Sequence, residues 1–136
     1  MSVWVIDAGP LLFLAKLGRL ELLPQTSGVH IPEAAYVETQ QYSDEAAAII
    51  AHAAQEWLTV SAVQNRQAVE LLLADMDLGE AETIVLATEL SADRVVLDDM
   101  DARRFVQRTG LAMIGTVGLL LSARLRDDIP SLRGAP

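Results

Sequence analysis

The feature that most constrains this chain is an alternation. Short apolar runs rich in β-branched residues recur between longer stretches with helical character. "VWVID" (3–7), "GVHIP" (28–32), "WLTVSAV" (57–63), "RVVLD" (94–98) and "AMIG" (112–115) read as strands. Between them, "PLLFLAKLGRLELL" reads as a helix broken near Gly18, and "PEAAYVETQ" as a helix with Pro32 in its first position. "SDEAAAIIAHAAQE" (43–56) is an alanine-rich helix with Ser43 as N-cap, and "RQAVELLLADM" (66–76) is another. "LGEAETIVLATEL" (78–90), "MDARRFVQRTG" stopped by Gly110, and "TVGLLLSARLRD" (116–127) complete the set. Strands that are apolar throughout and joined by helices imply a parallel sheet covered on both faces. The expected fold is therefore α/β, with about five strands in three layers. Such folds bind ligands beyond the carboxyl ends of their strands.

The chain of 136 residues is expected to form one domain, with residues 130–136 as a loose tail. No apolar run approaches the ~20 residues of a membrane span. The longest, near the start, is interrupted by Lys16, Arg19 and Glu21. With no basic leader before Val3, the reading is a cytoplasmic protein. The chain has no cysteine, which excludes disulfides, thiolate metal sites and thiol catalysis. A formal charge of −9 argues against broad electrostatic binding of nucleic acid. It leaves room for a nucleic-acid enzyme whose surplus carboxylates hold a divalent cation. Arg103, Arg104, Arg108, Arg124, Arg126 and Arg133 all fall in the last third, either as a solvated helix face or as a phosphate track.

Acids gather where the fold places its site. Asp7 ends the first strand and Asp98 and Asp99 end the strand "RVVL", so if the two strands are neighbours their carboxylates meet in one crevice. Each also has a plain structural alternative as the cap of the helix that follows. In "DLGEAETIVLA", Asp77 and Glu80 fit a capping box, which gives Glu80 a structural job. Glu82 has none, and residues 80 and 82 point about 200° apart on a helix, which makes Glu82 the expected site residue. Glu33 suits a first helical turn, whereas Glu38 lies farther along the same helix.

Five blocks, "VIDAGPLLFLAKLGRLELL", "HIPEAAYVE", "LGEAETIVLA", "VVLDDMDARR" and "GTVGLLLSARLRD", taken in this order, resemble the PIN domain. More narrowly they are similar to a prokaryotic subgroup like the VapC-type toxin ribonucleases, over residues 3 to 132. The resemblance implies an acidic quartet, Asp7, Glu38, Glu82 and Asp99, that binds Mg²⁺ or Mn²⁺. Asp98 would share the metal or support it, and Glu80 is acidic in the subgroup as well. The implied activity is hydrolysis of RNA phosphodiester bonds to 5′-phosphate and 3′-hydroxyl ends, with Asp7 and Asp99 as central ligands. Hard divalent cations take oxygen ligands and lower the pKa of their water. His30 and His52 join no cluster and are not needed.

The resemblance also implies a small antitoxin partner and a homodimer, without a membrane role. The leucines of "LLFLAKLGRLELL" and "VGLLLSARL" serve either those contacts or the core. A response-regulator receiver needs a lysine after its last strand, but the only lysine is Lys16. A haloacid-dehalogenase-type phosphatase needs an acid two residues past its nucleophile, where this chain has Gly9. The remaining alternative is a catalytically inert PIN-like binding or partner protein.

Overall fold

A computed structural model describes residues 2–125, so the expected tail at 130–136 lies outside the described residues. Five strands, β1 (Val3–Ile6), β2 (Gly28–Pro32), β3 (Leu58–Ser61), β4 (Arg94–Val96) and β5 (Met113–Ile114), form one sheet in the order β3-β2-β1-β4-β5. Every pairing is parallel. The helices are α1 (Ala8–Leu17), α2 (Glu33–Thr39), α3 (Glu45–Glu56), α4 (Arg66–Leu72), α5 (Leu78–Glu89), α6 (Met100–Thr109) and α7 (Thr116–Leu125).

The apolar runs act as the alternation requires. Ile6 and Val96 point to one face, into a core shared with Leu11, Leu14, Ile31, Ile50 and Leu119. Val5 and Val95 point to the other, against Val69, Ile84, Leu86 and Val106. Two apolar layers thus sandwich the sheet, with α1, α2, α3 and α7 on one side and α4, α5 and α6 on the other. Central strand β1 is flanked by β2 and β4. The chain winds outward to β3 and then returns to the opposite side of β1, which opens a crevice at the carboxyl ends of β1 and β4.

Several boundaries differ from expectation. Pro32 ends β2 and occupies the N-cap of α2 rather than its first turn. Asp44, not Ser43, caps α3, because its carboxylate accepts the Ala47 amide at 2.9 Å. The helix expected over 66–76 stops at Leu72, and the chain turns before Asp77. The break at Gly18 is real: its φ of 67° terminates α1, and a short 3₁₀ turn, Leu20–Leu22, follows. Gly110 stops α6 in the same left-handed way. No described helix is long and apolar enough to cross a membrane.

Candidate active site

Asp7 follows β1 directly. Its amide donates to the Val96 carbonyl at 3.0 Å, which stitches the end of β1 to β4. The carboxylate is only 8% exposed and, apart from the Ala8 amide that lowers its pKa, makes no capping bond to α1. Instead it meets α5, where the buried Thr83 hydroxyl lies 3.2 Å from Asp7 Oδ1 and 2.7 Å from the Gly79 carbonyl. Burial is the main reason its pKa rises from 3.8 to about 6, and the charges of Asp77 and Asp98 raise it further.

Glu38 comes from the last turn of α2 and leans over α5 at Gly79. A Cβ on Gly79 would overlap Glu38 Oε1 and stand 3.6 Å from Asp7 Oδ1, so the missing side chain is what lets the two acids share this space. Burial, then Asp7 and Asp77, push Glu38 up to about 6.

The capping box at the start of α5 is present. Asp77 Oδ1 accepts the Glu80 amide at 2.9 Å, and Glu80 Oε1 accepts the Asp77 amide at 3.2 Å. Capping does not take Glu80 out of the acidic neighbourhood. Burial raises its pKa to about 8, with further contributions from Asp77 and Asp99.

Asp98 and Asp99 lie beyond β4. Both oxygens of Asp98 are engaged by Thr116, at 2.7 Å from the amide and 2.5 Å from the hydroxyl, which ties the β5–α7 turn to the end of β4. Asp99 caps α6 through the Ala102 amide at 2.9 Å. Beside them stands the half-buried Arg103, whose Nη1 comes 3.5 Å from where a Gly115 Cβ would sit.

Glu38 and Asp7 thus meet at Gly79, Asp77 and Glu80 are joined by the capping box, and the charges of Asp98 on Asp7 and of Asp99 on Glu80 bring those two acids to the same crevice. Glu82 does not join them. It points away from Glu80 as the helical spacing dictates, and its carboxylate binds the Ala34 amide at 2.9 Å and Arg66 Nη1 at 2.7 Å. Its charge is not among those acting on Asp7, Glu38 or Glu80. Asp77 was assigned only a capping role from the sequence; its three acidic neighbours were visible as residues but not as neighbours. His30 is tied to Ser61 at 2.9 Å and His52 to Glu56 at 3.3 Å, both outside the crevice.

Among the described residues no three acids close on one point as a finished metal cage. Several are held back by other bonds, namely Asp98 by Thr116, Asp99 by Ala102 and Glu80 by Asp77. The donor set still suits a hard divalent cation. It is all carboxylate oxygen, and Mg²⁺ keeps most of its waters and needs only one or two protein carboxylates. A buried Asp7 raised by like charges is also a group that a cation would stabilise. Alongside lies a cleft of about 730 Å³ lined by Tyr36, Val37, Glu38, Gln41, Asp77 and Leu78, so it shares two acids with the crevice.

Comparison with known proteins bears on this arrangement. A family model described as PIN domain (DUF3368) matches residues 3–135. Among solved structures, PAE2754 from Pyrobaculum aerophilum superposes with a TM-score of 0.59 at 17% identity, over 92% of this chain and 99% of that one. That likeness concerns the fold. No curated protein matches the chain.

Proposed function

The chain belongs to the PIN domain family, whose members are generally nucleases, and from that premise we propose that it is a metal-dependent endoribonuclease. The observation that carries the reading is the convergence of acids from the ends of β1 and β4 and from α2 and α5 around the buried Asp7. We place the metal on Asp7 with Glu38 beside it, with Asp77 and Asp98 as the acids whose charges also reach Asp7, with Glu80 joined to them through Asp77 and Asp99 through Glu80, and with Mg²⁺ or Mn²⁺ as the ion. When bound, the ion would neutralise phosphate charge and acidify a water.

The chain's own residues do the rest. Thr83 fixes the rotamer of Asp7, and Thr116 holds Asp98 so that the β5–α7 turn walls the site. Glu38 is exposed at the mouth, and its Oε1, set beside Asp7 across Gly79, suits taking a proton from the attacking water. Arg103 at the rim offers a cation to a phosphate oxygen. The adjoining cleft, with Tyr36 and Gln41 in its wall, offers an aromatic ring and an amide to a base next to the scissile bond.

We further propose a toxin-like role, in a VapC-like subgroup, with a small antitoxin partner and a homodimeric state in the cytoplasm. Support comes from the leucine-rich helices. Leu11, Leu14 and Leu119 serve the core, but Phe13, Leu17, Val117, Leu121 and Leu125 remain exposed on α1 and α7. A cleavage assay tests the enzymatic reading: RNA should be cut with Mn²⁺ or Mg²⁺ and left intact in EDTA or by Asp7→Asn. Equal cleavage by Asp7→Asn contradicts it and favours an inert PIN-like partner protein or a contaminant.

A further inference from the structure

We infer that Glu82 is a positioning residue that sets Glu38 in the crevice by tying the start of α2 to α5 and α4; this rests on the metal-site reading above. Helix α2 has no cap of its own. Pro32 at its N-cap offers no side-chain acceptor, so the first amides of the helix need an oxygen from elsewhere. Glu82 Oε1 supplies one to Ala34, the second residue of α2, at 2.9 Å. Its other oxygen is held by Arg66 at 2.7 Å.

Ala34 and Glu38 are four residues apart, one helical turn, and lie on one face of α2. Gly79 and Glu82 are three apart on α5 and also neighbour each other along that helix. The two helices therefore meet at two points. Glu82 grips the start of α2, and Gly79 receives the Glu38 carboxylate one turn later. Because α2 spans only Glu33–Thr39, fixing its first turn fixes the whole helix, including the height of Glu38 above Asp7. The Glu82 side chain is buried, and its charge is compensated at Arg66 rather than shared with Asp7. A carboxylate so engaged on both oxygens acts through α2, not on the ion.

Mn²⁺ affinity, measured by water-proton relaxation on folded full-length protein, separates the roles. Glu82→Gln keeps a carbonyl oxygen for the Ala34 amide and should stay close to the parent. Glu82→Ala removes the tie and should weaken Mn²⁺ roughly tenfold, the lower end for residues that orient metal ligands. Should Glu82→Ala fail to fold, Glu82→Met, which fills the same space but offers no oxygen to the Ala34 amide, removes the same tie and should weaken Mn²⁺ in the same sense. Asp93→Ala serves as a stability control, because it removes the acceptor of the Val3 amide at the opposite end of the sheet and should leave Mn²⁺ binding unchanged.

The inference is overturned if Glu82→Gln loses Mn²⁺ as completely as Asp7→Asn, which is the behaviour of a ligand. It is equally overturned if Glu82→Ala, or Glu82→Met in its place, binds as the parent does, or if Asp93→Ala weakens binding as much. If Asp7→Asn itself binds Mn²⁺ normally, the metal-site reading fails and the inference falls with it.

Discussion

The Thr83 hydroxyl reaches from α5 to Asp7 Oδ1 at 3.2 Å, joining one helical layer to the end of the central strand. A donor to the carboxylate favours its charged form, so this contact opposes the effect of burial on Asp7. Thr83→Val should raise the Asp7 titration midpoint, read by carboxyl NMR. Protons then compete better with Mn²⁺, so the apparent Mn²⁺ affinity should begin to fall at a higher pH than in the parent.

Gly79 offers a second test. Within a helix, alanine is favoured over glycine by up to about 1 kcal/mol, so Gly79→Ala is expected to cost little stability. Its Cβ, however, would take the place of Glu38 Oε1. Thermal melts should therefore be close to the parent while metal affinity and cleavage fall together. A variant with normal cleavage would show that Glu38 does not work from this position.

The pH dependence of the metal-free protein has a definite sign. Asp7 titrates at about 6 in the folded chain and at 3.8 ordinarily, so between these values the folded state holds the proton more tightly. The contribution of Asp7 to stability in EDTA should thus be fully present below about pH 4 and be lost as pH rises through about 6, a change on the order of 3 kcal/mol. Glu80 extends the decline toward pH 8. Asp7→Asn should flatten the profile, and Mn²⁺ should restore stability near neutrality. Melting curves across pH, with and without the ion, check all three.

Asp99 caps α6 and, on the proposed function, would also serve the metal site, two roles that one pair of substitutions can divide. Asn caps helices about as well as Asp, so Asp99→Asn should melt like the parent but lose cleavage. Asp99→Ala should lose cleavage and about 1 kcal/mol of stability, because the Ala102 amide loses its acceptor.

The legibility of the sequence was uneven for physical reasons. The strands around Val5, Ile31 and Val95 were readable because burial on both faces leaves apolar runs that nothing else explains. Asp7 and Asp99 were readable because the topology of parallel sheets places strand ends together. Glu82 was different. Spacing correctly set it apart from Glu80, but spacing along one helix does not reveal which side faces the crevice. That side is fixed by Thr83 meeting Asp7 and by Ala34 and Arg66 taking Glu82, contacts that span 76, 48 and 16 residues of sequence. Capping was also treated as an alternative to a site role, whereas Glu80 and Asp99 combine a cap with a place in the acidic neighbourhood. The end of α2 shows the same limit, since its first turn is satisfied from another helix rather than by a local cap.

On the proposed function, the acids around Asp7 hold a divalent cation. Crystals soaked in Mn²⁺ and measured for anomalous scattering test it most directly. The expected result is a peak bonded to Asp7, with Glu38, Glu80 or Asp99 within reach of the ion or its waters. Saturating Mn²⁺ with no peak in contact with Asp7, or a peak held by Glu82 instead, would contradict the account.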